Sequence, residues 1–144
     1  MDPALHLLLI DDDAADLLLA QEAFDFLDLP VSVRTFAGGQ AALDALRRPG
    51  AALPDVVLLD VNMPGLDGFA VLSAFKQDPR LVHIPVVMLS TSQGQADVDR
   101  AYTLHASAYL AKVADFAGFL AQLQSFVAFW ARNRFVRPSG ALPE

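Results

Sequence analysis

Five short apolar runs, each followed by a stretch with helical spacing, recur along the 144 residues. Leu5–Ile10, Val31–Phe36, Val56–Leu59, Ile84–Leu89 and Ala108–Ala111 read as strands. The first, third and fourth are continuous apolar runs, as strands buried on both faces require, whereas Val31–Phe36 alternates like an edge strand. Between and after them, Ala14–Leu29, a stretch opened by Gly38-Gly39 and running to about Arg48, Phe69–Gln77, Gln95–Leu104 and Asp115–Arg132 have helical spacing, and Asp78-Pro79 stops the third. Strictly alternating strands and helices imply a parallel sheet covered on both faces. The expected fold class is α/β, one domain over residues 1–132, with residues 133–144 a flexible tail containing Pro138, Gly140 and Pro143.

Charge and composition narrow the function classes. Seventeen Asp and Glu against ten Lys and Arg give a net charge of −7, which opposes binding to a phosphate backbone. Cysteine is absent, so disulfides and thiolate metal sites are excluded. No apolar run approaches the roughly 18 residues that cross a bilayer. The opening Met1-Asp2-Pro3-Ala4 lacks the basic start of a secretory signal. A soluble cytoplasmic domain is expected, without a nucleic-acid or membrane partner.

In open parallel sheets, ligands bind beyond the carboxyl ends of the strands, near the point where strand order reverses. There the first strand delivers Asp11, Asp12 and Asp13, the third Asp60, the fourth Ser90-Thr91 and the fifth Lys112. The second delivers only Phe36-Ala37. A doubly wound order 2-1-3-4-5 puts all the polar ends on neighbouring strands and leaves the blank one outside. Strands lie roughly 4.8 Å apart, so Lys112 starts about 10 Å from Asp60, a gap its stem can lean across.

Three carboxylates, from Asp11, Asp12 and Asp60, repel one another unless a cation sits among them. With no sulfur and no imidazole placed nearby, all-oxygen ligation points to Mg²⁺, and the Asn62 backbone carbonyl offers a further ligand. A carboxylate beside such an ion can attack phosphorus and become an aspartyl phosphate, which assigns Asp60 as phosphoacceptor. Lys112 and the Ser90 hydroxyl would then stabilise charge on the equatorial oxygens. Each residue alone has a plainer reading, as a helix cap, a solvated strand end or a surface lysine. Their joint placement on the correct strands favours the chemical one.

These residues also carry a resemblance. Leu7-Leu8-Leu9-Ile10-Asp11-Asp12, the segment Asp55 to Gly68 around Asp60, Ile84 to Ser90, and Ala108-Tyr109-Leu110-Ala111-Lys112 resemble the bacterial response-regulator receiver domains from about Leu5 to Arg132. The resemblance implies a flavodoxin-like (βα)5 fold and phosphotransfer from a phosphohistidine of a sensor histidine kinase, followed by altered protein contacts. It also implies direct Mg²⁺ ligation by Asp12, ligation through water by Asp11, and switch roles for Ser90 and Tyr109. The product expected is a stand-alone phosphoacceptor signalling domain, capable at most of self-phosphorylation and autodephosphorylation. Ser90-Thr91-Ser92-Gln93, Leu104-His105-Ala106 and Phe129-Trp130 resemble a narrower group, the stand-alone receivers paired with bacterial phytochrome kinases.

One position departs from the family. Receivers usually carry a cis proline after the lysine; here Val113 follows Lys112, and a non-proline cis bond costs about 2.5–4 kcal/mol, so a trans bond is expected. His6, His83 and His105 lack metal-ligand spacing, and Gly38-Gly39 and Gly65 to Gly68 form no nucleotide-binding pattern.

The last helix holds more apolar surface than one face can hide. Phe116, Leu120, Leu123 and Val127 are expected on the sheet, with Phe119, Phe126, Phe129 and Trp130 to one side. That excess predicts a homodimer through this helix. Two competing readings are an Asp-nucleophile phosphatase of the haloacid dehalogenase type and a receiver-like module that no longer takes phosphate. The first wants a carboxylate where Asn62 stands, and the second normally lacks one of the residues named here.

Overall fold

The computed structural model describes residues 5–63, 65–91 and 94–132. Ten elements alternate: β1 (Leu5–Ile10), α1 (Ala14–Leu27), β2 (Val31–Phe36), α2 (Gly39–Arg47), β3 (Val56–Asp60), α3 (Gly68–Gln77), β4 (Val86–Ser90), α4 (Gln95–Thr103), β5 (Ala108–Ala111) and α5 (Phe116–Arg132). The strands form one parallel sheet in the order β2-β1-β3-β4-β5, the order the strand ends predict and the flavodoxin-like arrangement the resemblance implies. The expected tail, residues 133–144, lies outside the described residues, as do Met1–Ala4, Pro64, Ser92 and Gln93.

Alternation along each strand divides the core into two layers. Leu8, Ile10, Val57, Leu59, Val86 and Met88 face α2, α3 and α4. Leu7, Leu9, Val56, Leu58, Val87 and Leu89 face α1 and α5. Central strands β1, β3 and β4 are therefore buried on both sides, and that explains their unbroken apolar sequences.

Several boundaries differ from the sequence expectation for local reasons. Helix α1 stops at Leu27 because Asp28 takes a left-handed conformation and donates its backbone N–H to Phe24. Strand β4 starts at Val86, after Ile84 is held in a turn by its N–H bond to Leu81. Strand β3 runs on to Asp60, paired with Leu89, so the carboxylate is mounted on the sheet itself.

Helix α5 is the larger correction. Its buried stripe is Leu123, Phe126 and Val127, with Phe119, Leu120 and Trp130 partly buried beside it. Phe126, expected to one side, thus belongs to the core. Phe116, expected on the sheet, is 46% exposed, because the first turn of the helix stands beyond the strand ends. Every peptide bond among the described residues is trans, Lys112–Val113 included.

Candidate functional site

Local geometry places each acidic group. Asp13 caps α1, its carboxylate accepting from the N–H groups of Ala15 and Asp16. That fixes the chain just past β1, where Asp11 turns inward and accepts from the Asp13 N–H at 3.0 Å. Asp12 stays exposed at the rim. After β3 the chain turns back, with the Gly68 N–H bonded to the Val61 carbonyl at 3.1 Å, and Asp67 caps α3 through Ala70. A Cβ at Gly68 would run into the Asp60 carbonyl oxygen and Val61 Cα, so this turn needs glycine.

Asp11, Asp12 and Asp60 each offer a carboxylate oxygen, all within 4.8 Å of one another. This is the trio expected from the sequence. Asn62 and Thr91 line the same crevice. All-oxygen donors at this spacing fit a hard divalent cation, and the three histidines stand apart from the group.

Lys112 reaches the trio from β5. Its ammonium lies 3.3 Å from Asp60 Oδ1 and 3.5 Å from Asp11 Oδ2. Its backbone N–H donates to the Ser90 carbonyl at 2.8 Å, which pins the loop after β5 to the end of β4. Ser90 is fully buried, and its hydroxyl accepts from the Asn62 side-chain amide at 3.3 Å. Tyr109 is half-buried against the core layer of α2, α3 and α4.

The sequence reading missed one member. Asp16, in the first turn of α1, accepts from Lys112 at 3.2 Å. The signal was an acidic residue one helical turn beyond the Asp11-Asp12 pair, where the helix start must overhang the strand ends. Next to this ion pair an apolar cavity of about 230 Å³ opens between α1 and α5, lined by Leu19, Val113, Phe116 and Phe119 among others.

Burial pushes the Asp60 carboxyl up to about 6, the Asp11 charge adds to the rise, and Lys112 opposes it. Asp11 is also raised by burial, against the bond from Asp13. Burial alone would lower the Lys112 ammonium; Asp60, Asp11 and Asp16 together outweigh it and raise it. The site therefore concentrates negative charge around one fixed ammonium and has room for another cation.

Comparison with known proteins gives one family. The model of the response regulator receiver domain matches residues 7–124. A probable methanogenesis regulatory protein, FilR2 of Methanothrix harundinacea, is 38% identical over 90% of this chain and 84% of its own. Response regulator Rcp1 of Synechocystis is 35% identical over 90% of both chains. Among solved structures, the phosphorylated cyanobacterial phytochrome response regulator RcpA superposes with a TM-score of 0.83 at 35% identity, covering 92% of this chain and 97% of that one. The Mn²⁺-bound form of Rcp1 superposes at 0.80 and 33% identity, covering 92% and 98%.

Proposed function

Because the chain belongs to the response-regulator receiver family, we propose that it is a stand-alone carrier in a two-component relay with Asp60 as its phosphoacceptor. One observation carries this reading: the Lys112 ammonium lies within 3.5 Å of both Asp60 and Asp11, at the rim where Asp12 completes a carboxylate trio. A phosphatase of the haloacid dehalogenase type does not share this family, and Asn62 supplies no general acid. A receiver that had lost phosphate uptake would have little reason to keep a buried, mutually repelling acidic set with its lysine.

In the proposed transfer, an Asp60 carboxylate oxygen forms a bond to phosphorus as the N–P bond of a kinase phosphohistidine breaks. The imidazole nitrogen keeps the electron pair and, with a proton already on the other ring nitrogen, leaves as neutral imidazole, so Asp60 needs no general base. Lys112 and the Ser90 hydroxyl stabilise charge on the equatorial oxygens. Asp12, Asp60, the Asn62 carbonyl and, through water, Asp11 would hold Mg²⁺. That ion, when bound, neutralises phosphoryl charge. Ser90 and Tyr109 then carry the change to the face of α4 and β5.

The likeness to a phytochrome response regulator supports a bacterial phytochrome kinase as donor. Exposed Leu18 and Leu19 on α1, with Phe116 and the cavity beside Lys112, provide apolar surface for docking it. The exchange is assigned to the cytoplasm, where the ATP that charges kinases is found. No described helix is long and apolar enough to cross a membrane, and the net charge of −7 opposes nucleic-acid binding.

Assembly completes the reading. On α5, Phe129 is 53% exposed and meets Trp130 edge-on at 5.1 Å. Both rim an apolar hollow of about 380 Å³ against the β5 edge. A second copy applied through a two-fold axis would cover this surface with itself.

Incubating the protein with phosphoramidate and Mg²⁺ and weighing it intact tests the acceptor. The native chain should gain one phosphoryl mass and Asp60→Asn none. Uptake by the Asn variant would place the phosphate elsewhere and end this reading.

A further inference from the structure

Asp16 pairs with Lys112 but has no role in the proposed transfer. An ammonium has three N–H donors, and in this fold three carboxylates surround it: Asp16 at 3.2 Å, Asp60 at 3.3 Å and Asp11 at 3.5 Å. Asp11 and Asp60 belong to the carboxylate trio, and Asp11 is also anchored by the Asp13 N–H. Asp16 lies outside that trio. Its backbone is fixed by the Asp13 cap, while its side chain is 47% exposed at the rim of the crevice.

A phosphoryl group arriving at Asp60 brings oxygens that need an N–H from Lys112, and some existing partner must yield it. Asp16 is the partner with least else holding it, and water can replace its bond. Its charge also faces the incoming phosphoryl oxygens, since it lines the same crevice as Asp60.

We propose that Asp16 is a positioning residue that restrains Lys112 toward α1 and competes with the phosphoryl group for its ammonium, slowing phosphate uptake at Asp60. The inference rests on Asp60 being the acceptor. With phosphoramidate, whose monoanion carries its nitrogen as –NH3⁺, an Asp60 oxygen forms the O–P bond as the P–N bond breaks, and ammonia leaves with the electron pair. Lys112 transfers no proton in this step; it only redirects a hydrogen bond from Asp16 to a phosphoryl oxygen.

The test follows uptake from phosphoramidate at saturating Mg²⁺ by intact mass, for native protein, Asp16→Asn and Asp16→Glu. Asp16→Asn keeps the size and removes the charge, and should speed uptake two- to fivefold at low salt, the range of a half-exposed ion pair. That advantage should shrink toward one near 1 M salt, where screening acts within about 3 Å. Asp16→Glu restores the charge and should return the rate toward native. Equal or slower uptake by the Asn variant at low salt overturns the proposal, as does an advantage that salt leaves unchanged. Failure of the native protein to take phosphate, or uptake retained in Asp60→Asn, would instead overturn the reading of the acceptor and the inference with it.

Discussion

Lys112 Nζ lies 3.3 Å from Asp60 Oδ1 although β4 separates the strands that carry them. The lysine crosses the end of β4, and its backbone is held there by the Ser90 carbonyl. This contact does not return Asp60 to an ordinary acidity, because burial and the neighbouring Asp11 charge outweigh it.

Metal-free stability should therefore fall as pH rises through the Asp60 titration. The folded carboxyl titrates near 6 against 3.8 in the unfolded chain, so the native state binds the proton more tightly. Below about pH 4 both states are protonated and the shift contributes nothing. From about pH 4 to 6 the penalty grows, and above it reaches at most about 3 kcal/mol. Thermal melts in chelator should show Asp60→Asn gaining stability over the native chain as pH rises from 4.5 to 7. A gap that does not change with pH would contradict the burial argument.

Replacing Asp12 with Ala should weaken Mg²⁺ binding severalfold. Asp12 is the least buried member of the trio, so its loss leaves the buried arrangement of Asp11 and Asp60 intact. Relief of like-charge repulsion should leave metal-free stability unchanged or higher. Calorimetric titration finding native affinity in this variant would remove Asp12 from the ligand set.

Gly68→Ala should damage the acceptor turn more than a surface glycine would. The added methyl meets backbone, the Asp60 carbonyl and Val61 Cα, rather than a side chain that can swing away. Strain of this kind costs about 1–3 kcal/mol, so the melting temperature and phosphate uptake should fall together. Gly50 lies in open space with a positive φ of 76°, so its alanine variant serves as a control that strains the chain away from the site.

Strand order and the acidic trio were legible because both follow from what each strand delivers at its carboxyl end. Five continuous or alternating runs fix the sheet, and only one order gathers Asp11, Asp60, Ser90 and Lys112. Asp16 was not legible in that way, since it rides on the first turn of a helix and its reach depends on where Asp13 caps that turn. The α5 stripe was misread for a related reason. Helical angle alone groups Phe116 with Leu123 and Val127, but Phe116 opens α5 beyond the last strand residue and stays 46% exposed beside the cavity at α1. Phe126 moved the other way, because a stripe of i, i+3, i+4 centred on Leu123 includes it.

Phosphorylation should propagate from Ser90 to Tyr109. The Ser90 hydroxyl is tied to the Asn62 amide at 3.3 Å, and a phosphoryl oxygen on Asp60 offers it a stronger, charged acceptor. Movement of Ser90 repacks the ends of β4 and β5, where Met88 pairs with Tyr109 and Ser90 with Ala111. NMR of the native chain should show shifts at Tyr109 and along α4 on phosphorylation, and Ser90→Ala should reduce them. Shifts confined to the turn after Asp60 would mean that Tyr109 does not report the phosphate.

Assembly through α5 should depend on Phe129. Core residues Leu123, Phe126 and Val127 already bind α5 to the sheet, whereas Phe129 is 53% exposed. Its ring stands edge-on to Trp130 and borders the apolar hollow against β5, a surface that a two-fold mate would bury twice. Phe129→Asp sets a charge at that seam, far from the carboxylate trio. Burying an unpaired carboxylate costs several kcal/mol, enough to move a dissociation constant of about 1 μM beyond 100 μM. Sedimentation at about 50 μM should therefore find native protein dimeric and the variant monomeric, with phosphate uptake equal in both. Native protein that sediments as a monomer, with or without phosphodonor, would return these aromatics to packing within one chain.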